Sequence, residues 1–156
     1  MTTVLFTAFE PSGDRHAAPV VAELRRRHPE WRLLAAAGRF TQQAGAELVA
    51  ETASAGVMGL EAARRMRELP ALVEELQKHL PDQGPVVHIP VDSPAAQFRI
   101  TPAFRARGAK TVHWVAPKIW ARRWDGRLAK LRRQTDALAC LFPFEAEWFS
   151  RRGLPA

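Results

Sequence analysis

Short apolar runs alternate with longer amphipathic stretches along the whole chain. Residues 4–9 (Val-Leu-Phe-Thr-Ala-Phe), 31–37, 48–50, 86–91, 110–115 and 136–141 read as strands, each bounded by residues that break regular structure. Between them the spacing predicts helices: one running through Leu24 to about Arg27, a short one at 41–45, then 60–80, 95–107, 127–134 and a last one carrying Trp148 and Phe149. His28-Pro29-Glu30 stops the first helix, Pro70 should bend the third, and Pro102 should interrupt the fourth before Gly108 ends it. Strands alternating with helices predict a layered α/β fold with a mostly parallel sheet.

The central run, Val86-Val87-His88-Ile89-Pro90-Val91, ends in Asp92-Ser93-Pro94. A buried parallel strand that delivers a carboxylate to its carboxyl end has this form, and ligands in open α/β sheets collect at that edge. Asp92 is therefore a candidate for chemistry, although Asp and Ser would equally cap the next helix or shape a turn. Glu10-Pro11-Ser12-Gly13-Asp14 reads as a turn into the first helix, with Ser12 or Asp14 as its cap. Such a turn exposes N–H groups that can hold an anion or a sugar hydroxyl, or it is simply a connection. It is not a P-loop, because the Gly-Lys-Ser/Thr ending is missing.

In the stretch 60–80, Met66, Leu69, Leu72, Val73 and Leu76 recur at three and four, with Arg64, Arg65 and Arg67 in the first half. The stripe can enter the core or lie on an anionic lipid surface. Gly56-Val57-Met58-Gly59-Leu60 reads as a loop near a ligand or another backbone. From Ala116 to Trp124 aromatic and basic residues alternate, a pattern that suits stacking on sugars or bases and pairing with phosphates, and equally suits ordinary surface packing.

At 156 residues the chain is long enough for one domain with its own core. Hydrophobic residues at 47% and charged residues at 25% are ordinary for a globular protein and argue against a disordered chain. Lys and Arg total 23 against 16 Asp and Glu, a net charge of +7 that suits an anionic partner (phosphate, nucleic acid or an acidic membrane) and equally suits solvated helix faces such as Arg25-Arg26-Arg27. The basic residues are dispersed over several helices without a recognition motif, which argues against nucleic acid. Cys140 is the only cysteine, so no intrachain disulfide or cysteine-only zinc site can form. His16, His28, His79, His88 and His113 show no ligand spacing, so no metal is expected and each reads as structural or exposed. The amino terminus lacks signal-peptide features and no run is long enough to span a bilayer, which predicts a cytoplasmic protein.

Five stretches in order resemble the lipid-A-disaccharide synthase family, membrane-associated glycosyltransferases of lipid A biosynthesis. Glu10-Pro11-Ser12-Gly13-Asp14 is similar to the family's Gly-Glu-Ala-Ser-Gly-Asp loop, Val57-Met58-Gly59 to its Val-Met-Gly turn, and Asp92-Ser93-Pro94 to its Asp-Ala/Ser-Pro motif. His113-Trp114-Val115-Ala116-Pro117 with Ile119-Trp120-Ala121 resembles His-Tyr-Val-Ser-Pro and Val-Trp-Ala-Trp, and Leu141-Phe142-Pro143-Phe144-Glu145 resembles Leu-Pro-Phe-Glu. The likeness covers the chain but only the amino-terminal half of such an enzyme. It implies a Rossmann-like three-layer domain, the N-terminal domain of a GT-B glycosyltransferase, with the nucleotide-sugar domain absent. The chain is then a fragment of a longer enzyme or a shortened relative, inactive alone.

The implied reaction moves a diacylated glucosamine from UDP to the 6-hydroxyl of diacylglucosamine 1-phosphate with inversion, using no cofactor. Asp92 matches the family's proposed base. Glu10, Ser12, Gly13, Asp14, Met58, Gly59, Ser93, His113 and Trp120 would bind substrate. Arg122 and Arg123 would neutralise the acceptor phosphate, an assignment resting on charge and sequence proximity alone. Arg64, Arg65, Met66, Leu69, Leu72 and Val73 would dock on the anionic inner face of the inner membrane, because both substrates are acylated. Further expected partners are a complementing carboxyl-terminal half or a second copy. Phe9 stands where the family usually has glycine, Gln97 where asparagine often follows the catalytic motif, and Arg122 where the second tryptophan falls. The reading from a different class is a non-catalytic module binding anionic lipid or phosphosugar.

Overall fold

The apolar runs become six strands of one sheet: β1 (Thr3–Ala8), β2 (Arg32–Ala37), β3 (Glu47–Glu51), β4 (Val86–Val91), β5 (Lys110–Trp114) and β6 (Ala137–Ala139). The computed structural model describes residues 1–53, 60–121 and 125–156. Every strand pair is parallel and the spatial order is β3-β2-β1-β4-β5-β6. The helices are α1 (Pro11–Arg27), α2 (Arg39–Gln43), α3 (Leu60–His79), α4 (Pro94–Ala106), α5 (Asp125–Gln134) and α6 (Pro143–Ser150), with a 3-10 turn at Ile119–Ala121.

β1 is buried along its whole length, as expected of a strand covered on both faces. Val4, Phe6 and Ala8 point to the side of α1, where they meet Ala17 and Val21. Leu5 points the other way, to Leu69 and Leu76 of α3 and Ile100 and Phe104 of α4. A third cluster joins Phe98, Leu131, Leu138 and Phe149 beneath α5 and α6. Right-handed crossovers explain the two sides: the chain first steps outward from β1 to β3, then jumps back to β4 and proceeds the opposite way. The reversal between β1 and β4 opens a crevice at the carboxyl ends of those two strands.

Three expectations change. Residues 11–14 do not form a turn, because Pro11 opens α1 directly after Glu10; neither Ser12 nor Asp14 is the cap. Proline suits the first helical position, where its missing N–H would have had no partner. Pro102 does not interrupt α4, which is continuous through it. The carbonyl that Pro102 leaves without an intrahelical donor, that of Phe98, accepts from Gln134 Nε2 at 3.3 Å instead. The α3 stripe expected to lie on a membrane faces the sheet: Leu69 is buried at 5% exposure, and Met66, Leu72 and Val73 pack half-buried against the same cluster. Burying those side chains on Leu5 and Leu34 is what closes that face of the sheet.

Candidate active site

The crevice at the strand reversal is a cleft of about 600 Å3, whose walls include Glu10, His16, Asp92, Ser93, Phe98, Val115, Lys118, Ile119, Arg127 and Leu141. Asp92 follows the last residue of β4 and Glu10 lies just past β1, so the sheet itself delivers two carboxylates to one opening. The helices α1 and α4 both begin here, each with proline in its first turn. Their amino ends bring unpaired N–H groups and the positive ends of their dipoles toward the cleft.

The backbone at this edge is strained. Asp92, Ser93 and Val115 have φ of 48°, 43° and 69°, in the left-handed region that side-chain-bearing residues seldom enter. Each such residue costs roughly 1–3 kcal/mol, and Val115 is β-branched, the least tolerant kind. The strain is held by neighbours on every side. Asp92 N donates to Trp114 O at 3.0 Å, the amides of Ala96 and Gln97 bond Ser93 O, and Ser93 Oγ donates to Glu10 Oε1 at 3.1 Å. The result turns the half-buried Asp92 into the cleft instead of continuing the strand.

Of the residues singled out in the sequence, the fold brings Glu10, Asp92 and Ser93 together. Gly13 lies behind them, packed on Ala8 and Val91, and Ser12 is exposed on α1. Asp14 turns away from the cleft: its carboxylate accepts the N–H groups of Gly38, Phe40 and Thr41 at 3.0–3.1 Å and the Thr41 hydroxyl, so it caps α2 from α1. The approach is so close that a Cβ on residue 38 would sit 2.5 Å from Asp14 Oδ2, which is why glycine stands there. His113 is buried on β5 rather than exposed to the cleft, and burial pushes its ring down to about 4. His88 on β4 is likewise buried and pushed down to about 3, by burial first and His113 second.

Trp120 stands beside the cleft residue Ile119, its Nε1 donating to Glu145 Oε1 at 2.9 Å and its ring edge-on to Phe144. Glu145 is itself buried, its other oxygen accepting the N–H groups of Leu141 and Phe142. Arg64, Leu69 and Leu72 border a separate hollow of about 280 Å3 with Phe9, while Met66, Leu69 and Val73 border a groove of about 410 Å3 between α3 and α4. Arg65 belongs to α3. Met58, Gly59, Arg122 and Arg123 lie outside the described residues.

His16 and Arg127 line the cleft although no motif marks them, and Lys118 lines it from the aromatic and basic stretch that the sequence singles out. A signal for His16 existed: with α1 starting at Pro11, His16 falls one turn beyond Ser12. Lys118 sits in the aromatic and basic stretch between β5 and α5, and Arg127 lies in the first turn of α5. The cleft thus offers two carboxylates, an imidazole, two cations and two helix amino ends beside the apolar side chains of Phe98, Ile119 and Leu141. This combination suits a ligand that is part sugar, part phosphate.

A family model described as lipid-A-disaccharide synthetase matches residues 4–156. The lipid-A-disaccharide synthase of Solibacter usitatus is 35% identical over 159 residues, covering 100% of this chain and 41% of the relative. That of Pseudomonas syringae pv. tomato is 35% identical over 97% of this chain and 40% of the relative, and that of Myxococcus xanthus 32% identical over 98% and 40%. The chain therefore spans about two fifths of the length of the curated relatives it matches. With the match running unbroken from β1 through the cleft to α6, the chain belongs to the lipid-A-disaccharide synthetase family.

Proposed function

We propose that this chain is the acceptor-binding half of a GT-B glycosyltransferase that joins two acylated glucosamines, with Asp92 as its base. In the reaction, the acceptor's 6-hydroxyl oxygen attacks C1 of a UDP-linked diacylglucosamine. The C1–O bond to UDP breaks, UDP leaves with the electron pair, and the hydroxyl proton passes to the Asp92 carboxylate. A single displacement of this kind inverts C1. The observation that carries the reading is the strained Asp92-Ser93 turn at the strand reversal, joined to Glu10 and facing a cleft with cations in its wall. Lys118 and Arg127, the cations lining this cleft among the described residues, are placed to neutralise the acceptor phosphate, a part also expected of Arg122 and Arg123, which lie outside the described residues.

The donor nucleotide belongs to a second domain, so residues 1–156 alone bind acceptor without turning over. No described helix is long and apolar enough to cross a membrane. The acylated substrates place the protein peripherally, on the cytoplasmic face of the inner membrane.

The test is a chimera in which this chain replaces the matching portion of the Pseudomonas syringae pv. tomato relative. Disaccharide should form from the two lipid precursors, and Asp92→Asn should reduce transfer by at least a hundredfold while acceptor binding persists. Transfer within tenfold of the parent would remove Asp92 from the base's role. Acceptor binding by every form without transfer by any would favour the non-catalytic lipid-binding module.

A further inference from the structure

Beneath the Asp92-Ser93 turn the floor is polar and fully enclosed. Thr7 of β1, His88 of β4 and Gln97 of α4 are each at most 1% exposed, and the Thr7 hydroxyl bonds both His88 and Gln97. Gln97 Nε2 lies 2.6 Å from Thr7 O and 3.3 Å from Val91 O. Both neighbours are carbonyls that can only accept, so the amide must present its NH2 to them and its oxygen to Thr7 Oγ1, 2.8 Å away. The amide oxygen cannot donate, which commits the Thr7 hydroxyl proton to it. His88 Nε2, 2.9 Å from the same hydroxyl, must then be the donor of that contact, so His88 is the neutral Nε2–H tautomer. Hydrogen bonds run one way, from His88 through Thr7 to Gln97, and fix the orientation of the Gln97 amide.

That amide spans the two strands whose separation defines the crevice. Thr7 lies near the end of β1 and Val91 is the last residue of β4. Gln97 reaches the carbonyls of both from the helix side. Its backbone N–H also donates to Ser93 O at 3.2 Å. Asp92 and Ser93, both at positive φ, are therefore gripped from both sides by one residue, the side chain holding the carbonyl before them and the backbone holding the carbonyl at their end.

We propose that Gln97 is the positioning residue for Asp92: its buried amide, oriented by the His88–Thr7 chain, holds the ends of β1 and β4 together and keeps the Asp92-Ser93 turn in its strained form. This rests on the reading of Asp92 as the group that faces the acceptor. Gln97→Leu removes the amide at nearly constant volume and leaves the Thr7 hydroxyl and two carbonyls without this partner. The turn then relaxes toward ordinary negative φ, carrying the Asp92 carboxylate away from Glu10. Thr111→Val serves as the control, since Thr111 pairs in register with His88, is equally buried and has no bonded partner for its hydroxyl, while the register partner of Val91 is Trp114.

The experiment is NMR on the isotope-labelled 156-residue chain together with binding of diacylglucosamine 1-phosphate in detergent micelles. The parent should show strong intraresidue amide-to-Hα contacts at Asp92 and Ser93, the mark of positive φ, and His88 nitrogen shifts of the Nε2–H tautomer. Gln97→Leu should lose the positive-φ mark and bind acceptor about tenfold more weakly, whereas Thr111→Val keeps both within twofold. Thr7→Ser should preserve the His88 tautomer and Thr7→Val should release it. If Gln97→Leu does not fold, Gln97→Asn, one methylene short of Val91, should show the same loss in smaller degree. Positive φ and unchanged affinity in a folded Gln97 variant overturn the proposal. If no form binds the acceptor, the acceptor-site reading fails, while the turn's conformation still decides the part played by Gln97.

Discussion

The Ser93 hydroxyl donates to Glu10 Oε1 at 3.1 Å, joining the ends of β1 and β4 across 83 residues of sequence. Both partners line the cleft, and the bond bridges the strand reversal just where Asp92 enters it. A bond this open to water adds little to stability, about 1 kcal/mol or less. Its effect falls on where Glu10 points. Ser93→Ala should leave the melting temperature within a few degrees of the parent yet weaken acceptor binding several-fold, read by thermal denaturation and by titration with diacylglucosamine 1-phosphate. Unaltered affinity would show that Glu10 is held by other means.

Asp14 is expected to matter for folding before it matters for ligand. Its carboxylate satisfies three backbone N–H groups and one hydroxyl in a site where water cannot replace it. Asp14→Ala should cost about 3–5 kcal/mol in urea unfolding, because it leaves several buried donors unpaired. Gly38→Ala should be comparably damaging, since the added methyl would overlap the Asp14 carboxylate. A loss below 1 kcal/mol in both would mean that α2 is capped without Asp14.

Two buried neutral histidines make stability depend on acid. His88 and His113 are pushed down to about 3 and about 4, against 6.5 for an exposed ring. Below pH 6.5 the unfolded chain takes up protons that the folded chain refuses. Stability is therefore fully present above that pH and falls as the solution is acidified toward the folded values, by about 1.4 kcal/mol per pH unit for each ring. Urea unfolding at pH 7 and pH 5 should show a clear drop, and His113→Leu should remove about half of the slope. A profile flat between pH 7 and pH 5 would contradict neutral burial.

The α3 stripe supports the sheet. Leu69→Ala and Leu76→Ala should each cost about 2–5 kcal/mol, the usual price of a cavity at a buried leucine. Arg64→Gln, on the exposed face beside Glu68, should change stability by less than 1 kcal/mol. Chemical denaturation checks all three. Leucine variants as stable as the parent would imply that the stripe is free to meet another surface.

Much of this was legible in the residues themselves. The apolar run of β4 ending in Asp92 and the parallel α/β alternation follow from short-range rules: a buried strand needs a continuous apolar sequence, and a carboxylate after it must leave the layer. Glu10 and Ser93 were legible as candidates only through the resemblance of their motifs to the family. Their bond was not, nor the turning of Asp14 onto α2, since either depends on where a distant segment packs. In the helix that runs through Pro102, Gln134 arrives from α5 to take the freed carbonyl of Phe98. The α3 stripe could serve two surfaces by its pattern; Leu5 and Leu34 beneath it decided which. Local propensity and periodicity see a few residues along the chain, and they determined the elements and their order. The direction of each side chain, and the gathering of Glu10, Asp92, Ser93, Lys118 and Arg127 around one cleft, came from packing between segments that only the folded sheet brings within reach.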